Sequence, residues 1–70
     1  MKVKVNDTIK YVRRGSPQAR IAKVLSLEIC KDGEKYGRSV NSCDISKYRD
    51  GVADLSDGHW CYFSQIKGII

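Results

Sequence analysis

The chain has 70 residues, of which 41% are hydrophobic, 30% are charged and only one is proline. This length supports a single hydrophobic core, so we expect one domain over residues 1–70, and the composition excludes a disordered tail. No stretch is apolar enough to cross a bilayer and the amino terminus alternates polar with apolar residues, so we expect no membrane partner and a cytoplasmic location.

Positive charge is concentrated in the first third of the chain. The formal net charge is +5, and residues 1–23 carry seven basic side chains against one acidic one, whereas residues 24–70 carry six basic and seven acidic ones. Such asymmetry favours a polyanionic partner, because cationic side chains attract phosphates and release their counterions. The alternative is a charged surface that only keeps a small domain in solution.

The first clear pattern predicts a strand over residues 7–13. Polar residues alternate there with β-branched and aromatic ones, which places Ile9 and Tyr11 on one face. Gly15 and Pro17 then interrupt the pattern and predict a turn or an exposed loop.

The longest apolar run covers residues 20–29. A helix competes for it, because alanine, lysine, leucine and glutamate are helix formers, but the β-branched Ile21, Val24 and Ile29 favour a strand. Ile21, Leu25, Leu27 and Ile29 would lie on one face of this strand, with Lys23 breaking the series, and Ala22 and Val24 would lie on the other. We therefore predict a bent strand with a bulge near residues 24–26 that lets the apolar face switch.

Two Asp-Gly pairs predict tight hairpin turns, because both residues tolerate a positive φ angle. The first pair, in residues 31–34, would lead into a return strand over residues 35–40. Residues 41–50 then predict a loop or one short helical turn with Asp44 or Ser42 as its cap.

The second Asp-Gly pair gives the clearest prediction of a hairpin. It lies in residues 56–58 and would join a strand over residues 52–55 to one over residues 59–63. A single turn over residues 64–66 would precede a last strand over residues 68–70, which must pair with the sheet to hide its two isoleucines.

These elements predict an all-β fold, a small barrel of five or six strands with a short 3-10 turn before the last strand. The order of strand, long loop and bent strand in residues 7–29, and the ending DGHWCYFSQI in residues 57–66, resemble the SH3-like barrel superfamily, which includes Tudor-like and KOW-like modules. The chain lacks the acidic first loop and paired tyrosines of proline-binding SH3 domains, and it lacks the glycine-rich KOW signature. The resemblance therefore implies a fold and leaves the function open.

Aromatic residues are concentrated on the second strand of the last hairpin. Trp60 and Tyr62 share one face of this strand, and Cys61 and Phe63 share the other. If the second pair faces the core, the first forms an exposed ridge that could stack on bases or anchor a protein. The alternative is that Trp60 closes an open end of the barrel.

Basic residues surround the loop over residues 13–20. Arginine suits a phosphate site there, because its planar guanidinium can grip two phosphate oxygens. Tyr11 is interleaved with these charges as a further stacking residue. The predicted residues for binding nucleic acid or another partner are Lys10, Tyr11, Arg13, Arg14, Arg20, Lys23, Trp60 and Tyr62.

A metal site or a nucleophilic site would have to use the cysteines and the single histidine. Cys30, Cys43 and Cys61 form no close pair of the kind that zinc knuckles use, and they suit reduced thiols in the cytosol. His59 beside Cys61 has no third group to orient it as a base. We therefore expect no metal, no cofactor and no enzymatic activity.

Two functions of different classes remain. The first is a module that binds DNA or RNA, with phosphates on the basic residues and bases on the aromatic ones. The second is a protein-interaction module, such as an adaptor or a small phage-type inhibitor of a larger host protein, which docks on an acidic protein surface.

Overall fold

The computed structural model describes residues 1–30, 37–48 and 50–70. Their strands are β1 (Lys2–Lys4), β2 (Thr8–Val12), β3 (Ala19–Ile29), β4 (Arg38–Val40), β5 (Ser42–Asp44), β6 (Val52–Leu55), β7 (Trp60–Tyr62) and β8 (Ile66–Ile69). The helical segments of this part of the chain are two short 3-10 helices, Ile45–Lys47 and Phe63–Gln65. The predicted all-β class and the short 3-10 turn before the last strand are confirmed. No helix in these ranges is long and apolar enough to cross a membrane.

The long strand β3 organises the larger sheet. It pairs antiparallel with β2 through its first half and with β4 and β6 through its second half. The six-stranded sheet follows the order β7-β6-β3-β2-β8, with β4 also paired to β3, and β1 with β5 forms a separate two-stranded sheet. Among the described strands, no backbone pairing joins β7 to β8, so β7 and β8 are the two ends of the path.

The predicted bulge in β3 is confirmed. The register with β6 shifts between Val24 and Ser26. Ala22 and Val24 are buried before the bulge, and Leu27 and Ile29 are buried after it. The extra residue therefore lets one strand turn alternate positions towards a single core on both sides of its bend.

The core lies between the two sheets and the 3-10 helices. Ile9 and Tyr11, predicted to share one face of β2, are both fully buried in it. Cys61 and Phe63 also face inward. Gly51 is buried against Phe63, because a Cβ atom at position 51 would lie only 2.0 Å from the ring atom Cε2.

The predicted turns that fall within the described residues are present. The predicted hairpin of β6 and β7 turns at Gly58, which has a φ of +85°. The predicted short helical turn begins at Asp44, whose carboxylate accepts a hydrogen bond from the Ser46 amide at 3.1 Å. The predicted Asp-Gly turn of residues 31–34 lies outside the described residues. The end of its predicted return strand over residues 35–40 is present as β4.

The last strand differs from the prediction. It begins at Ile66, which is buried, and it pairs with β2. Ile69 and Ile70 remain exposed, with 69% of Ile70 accessible, so the expectation that both are hidden is wrong. The reason is that β8 is at an end of the sheet, where Ile66 alone reaches the core. The pairing of β1 with β5, which buries Val3, was also not predicted.

Candidate functional site

A groove of about 600 Å³ lies where the end of β2 approaches the edge strand β7. Its volume is within the range of ordinary ligand sites. The groove brings together basic side chains from both ends of the chain and the two aromatic residues of β7. Its charged and aromatic lining consists of Arg13, Arg14, His59, Trp60, Tyr62 and Lys67.

The aromatic pair is exposed because of the alternation along β7. Cys61 faces the core, so its neighbours Trp60 and Tyr62 face outward, with 55% and 44% of their surfaces accessible. Their ring centroids are 5.1 Å apart and their planes meet at 87°, an edge-to-face arrangement. Trp60 therefore forms an exposed ridge with Tyr62 instead of closing an end of the fold.

The side chain of Gln65 bridges the gap between β7 and β2. Its Oε1 accepts a hydrogen bond from the Tyr62 amide at 2.8 Å. Its Nε2 donates to the carbonyl oxygen of Val12 at 3.1 Å. One amide side chain thus links the two walls of the groove, β7 and the end of β2.

A second chain of hydrogen bonds orients the basic end of the groove. The buried Tyr11 hydroxyl donates to the Asp57 carboxylate, and the other oxygen of Asp57 accepts from the His59 amide at 3.0 Å. The Arg13 Nη1 atom lies 3.4 Å from His59 Nε2. These contacts join β2 to the turn before β7.

The same contacts change two pKa values. Burial, and after it the hydrogen bond to Asp57, raises the pKa of Tyr11 to about 12. Burial alone would raise the pKa of Asp57, but the hydrogen bonds from Tyr11 and the His59 amide outweigh it and lower that pKa. The Asp57 carboxylate is therefore ionised and the Tyr11 hydroxyl neutral around neutral pH.

Tyr11 is a correction to the predicted binding residues. It is fully buried and its hydroxyl is committed to Asp57, so it presents no ring face to a ligand. The alternating pattern of β2 already placed it on the side of Ile9, and the core takes that side. Its contribution to the groove is to hold the turn that carries His59.

Two predicted arginines are at the groove, next to a tight turn. The Ser16 amide donates to the Arg13 carbonyl at 3.1 Å, and Gly15 adopts a φ of +80°, so the chain reverses just after Arg14. In the described part of the chain the single ion pair joins the Met1 amino group to Asp44. Arg13, Arg14 and Lys67 thus line the groove without a carboxylate partner, and no described acidic residue lines it.

The other predicted basic residues lie outside the groove. Lys10 and Lys23 are exposed on the outer side of β2 and β3. Arg20 pairs with Tyr11 across these strands and therefore projects from the opposite side. The predicted basic cluster is thus divided among three places, of which one adjoins the aromatic pair.

Sequence reasoning missed three groove residues, Lys67, His59 and Gln65, as parts of a binding surface. Lys67 belongs to β8, which pairs with β2 just before Arg13. The predicted pairing of the last strand with the sheet was therefore the signal that could have placed Lys67 near Arg13. The role of Gln65 depends on a gap between two strands, which no residue pattern encodes.

Two of the three thiols lie in the core, and the third, Cys30, is exposed. Cys43 and Cys61 are buried. Burial, with the nearby charge of Asp57, raises the pKa of Cys61 to about 11, and burial with Asp44 raises that of Cys43. Outside residues 31–36 and 49, no three histidine, cysteine, aspartate or glutamate side chains converge as a metal-ligand set.

Comparisons of this chain with protein-family models, with curated proteins and with solved structures find no match.

Proposed function

We propose that this chain is a small nucleic-acid-binding module that holds an unpaired base in the groove. The single observation that carries the proposal is the composition of that groove: two exposed aromatic rings beside three cations and no described carboxylate. Single-stranded nucleic acid is bound by this combination, because bases stack on aromatic rings while cations hold the phosphates.

Each residue has a distinct part in this proposal. Trp60 offers the larger ring for stacking, and Tyr62 stands edge-on beside it as a wall. Arg13, Arg14 and Lys67 hold the phosphates next to that base. Because the rings are perpendicular, they cannot both stack on consecutive parallel bases, so the groove takes one base at a time.

The charge of the groove argues against other ligands of aromatic sites. Aromatic rings also bind quaternary ammonium groups through cation–π contacts. Three cationic side chains at the same rings repel such a ligand, whereas they attract an anionic one. The groove therefore favours an anion that carries a flat ring, which describes a nucleotide.

The architecture that fits these strands is an SH3-like barrel, and this assignment is part of the proposal. The bent strand β3, shared by both halves of the sheet, and the 3-10 helix that leads from β7 into β8 support it. A cytoplasmic location and a role in binding without catalysis complete the proposal. Two buried thiols with raised pKa values support the second part, because thiolates are the reactive form.

Fluorescently labelled DNA and RNA oligonucleotides, single-stranded and duplex, test the proposal in a salt series. We expect single strands to bind more tightly than duplexes of the same sequence, with affinity that falls as salt rises. Equal affinity for both forms contradicts a site for an unpaired base, and no binding at physiological ionic strength overturns the proposal. A pull-down from nuclease-treated host lysate detects the competing acidic protein partner.

A further inference from the structure

The groove opens onto a second exposed surface on the outer side of β2 and β3. Val12 lines the groove, and Lys10, two residues earlier in β2, projects from the same side. The register places Ile21 of β3 and Gly68 of β8 on either side of Lys10, and Lys23 follows Ile21 on β3. We call the surface formed by Lys10, Ile21, Lys23 and Gly68 the outer track.

The outer track is cationic and partly apolar. Lys10 and Lys23 are exposed and form no ion pair with any described carboxylate. Ile21, between them, is 62% exposed. Gly68 leaves the β8 side of the row open, because a Cβ atom there would meet nothing within 4 Å. A sugar-phosphate chain could lie along such a surface, with its phosphates at the lysines and its apolar parts on Ile21.

We propose that a nucleic-acid strand with one base in the groove continues across the outer track, with further phosphates on Lys10 and Lys23. This inference rests on the proposed function of the groove and extends it from one base to several nucleotides. Lys23 pairs with Thr8, which lies four residues before Val12 on β2. At about 3.3 Å per residue, the path from Val12 to Lys23 therefore runs about 13 Å along the sheet. The track therefore accommodates nucleotides outside the groove, and the protein prefers long single strands to short ones.

The length of the ligand tests this path. A labelled trinucleotide and a labelled decanucleotide of thymidylate are titrated into the wild-type protein and into Lys10→Gln/Lys23→Gln. We expect the substitutions to weaken the decanucleotide about tenfold, and the trinucleotide by much less. The salt slope for the decanucleotide should also become shallower by about 1.4, since each lost phosphate contact on a single strand contributes about 0.7.

The control variant Lys2→Gln/Lys47→Gln makes the same change of charge away from the groove and the track, and both oligonucleotides should bind it as they bind the wild type. A longer homopolymer can bind in more positions along its length, which by itself raises its affinity. The test therefore depends on the comparison between variants and not on the rise in affinity with length. If the track substitutions weaken both oligonucleotides equally, or if the control variant loses as much affinity as the track variant, the outer track is overturned. The proposed binding of a base in the groove is not affected by either result. Failure of the wild type to bind either oligonucleotide removes the proposed function itself.

A second pair of variants tests the track without touching a lysine. Gly68→Glu places a carboxylate beside Lys10, and Gly68→Gln adds a neutral side chain of the same size. If the strand crosses the track, Gly68→Glu binds the decanucleotide several-fold more weakly than Gly68→Gln does. Equal affinities of these two variants contradict the path.

Discussion

The hydroxyl of Tyr11 donates a hydrogen bond to the carboxylate of Asp57, and this bond ties the middle of β2 to the turn between β6 and β7. Asp57 in turn accepts from the His59 amide, and His59 contacts Arg13. A residue at the centre of the core thereby positions both walls of an exposed groove.

Tyr11→Phe removes this bond and keeps the ring. We expect the free energy of unfolding at pH 7 to fall by about 1.5 kcal/mol, as for a hydrogen bond to a charged group whose acceptor can still reach water. Urea unfolding followed by circular dichroism measures the change. An unchanged midpoint contradicts a structural role for the bond.

The raised pKa of Tyr11 predicts a loss of stability in alkali. The folded pKa is about 12 and the usual value is 10.0, so the stabilisation is complete below pH 10 and is lost as the pH rises towards 12. The pKa of Cys61, raised to about 11, falls in the same range. The comparison therefore uses Cys61→Ala as the parent protein and Cys61→Ala/Tyr11→Phe as the variant. Between pH 10 and 12 the free energy of unfolding should fall less for the Tyr11→Phe variant than for its parent. Parallel curves of this free energy against pH would contradict the raised pKa of Tyr11.

Trp60→Ala should weaken nucleic-acid binding without unfolding the domain, because the Trp60 ring is more than half exposed. A base–aromatic stack is worth about 1–3 kcal/mol, which corresponds to a loss of affinity of about 5- to 150-fold. Binding of a labelled single strand measures this loss, and circular dichroism checks the fold. In contrast, Phe63→Ala should cost about 3–5 kcal/mol of stability, because Phe63 is buried. If Trp60→Ala unfolds the domain, the ridge belongs to the core.

Arg14→Gln should reduce the salt dependence of binding. On a single strand each neutralised phosphate contributes about 0.7 to the slope of log affinity against log salt, so the slope should become shallower by about 0.7. Lys67→Gln should have a similar effect, since both side chains line the groove. Lys47→Gln, a matched loss of one charge outside the groove, should leave the slope unchanged. Equal effects of all three substitutions would show that only net charge matters.

Gly51→Ala should destabilise the fold much more than Gly68→Ala. A Cβ atom at position 51 would overlap the buried ring of Phe63, whereas one at position 68 meets nothing within 4 Å. Overpacking of this kind typically costs about 1–3 kcal/mol. Thermal unfolding of the two variants gives the comparison, and equal midpoints would contradict the close packing of position 51.

The regular parts of the fold could be predicted because they follow local rules. The bulge in β3 could be predicted because Val24 and Leu27 would fall on opposite faces of a regular strand. The last hairpin could be predicted from the Asp-Gly turn before Trp60. The short strand β1 was not predicted, because three residues carry little periodicity and its stability depends on pairing with the distant β5.

The site was predictable only in part, for a similar reason. Local alternation predicts that Trp60 and Tyr62 share a face, and it also implies that Tyr11 shares the buried face of Ile9. The meeting of Arg13 and Arg14 with this aromatic pair depends on contacts between residues about 46 positions apart, such as Arg13 with His59. Such contacts are set by tertiary packing, which the residue pattern does not encode.

The most direct test of the central claim uses Trp60 as its own reporter, since it is the only tryptophan in the chain. Its fluorescence is recorded while an unlabelled single-stranded oligonucleotide is added, with an abasic strand of equal length as the control. A base stacked on Trp60 quenches the emission along a saturable curve that matches the binding isotherm, whereas the abasic strand leaves the emission nearly unchanged. Binding with no change in tryptophan emission, or equal quenching by both strands, would contradict the claim that this groove holds an unpaired base.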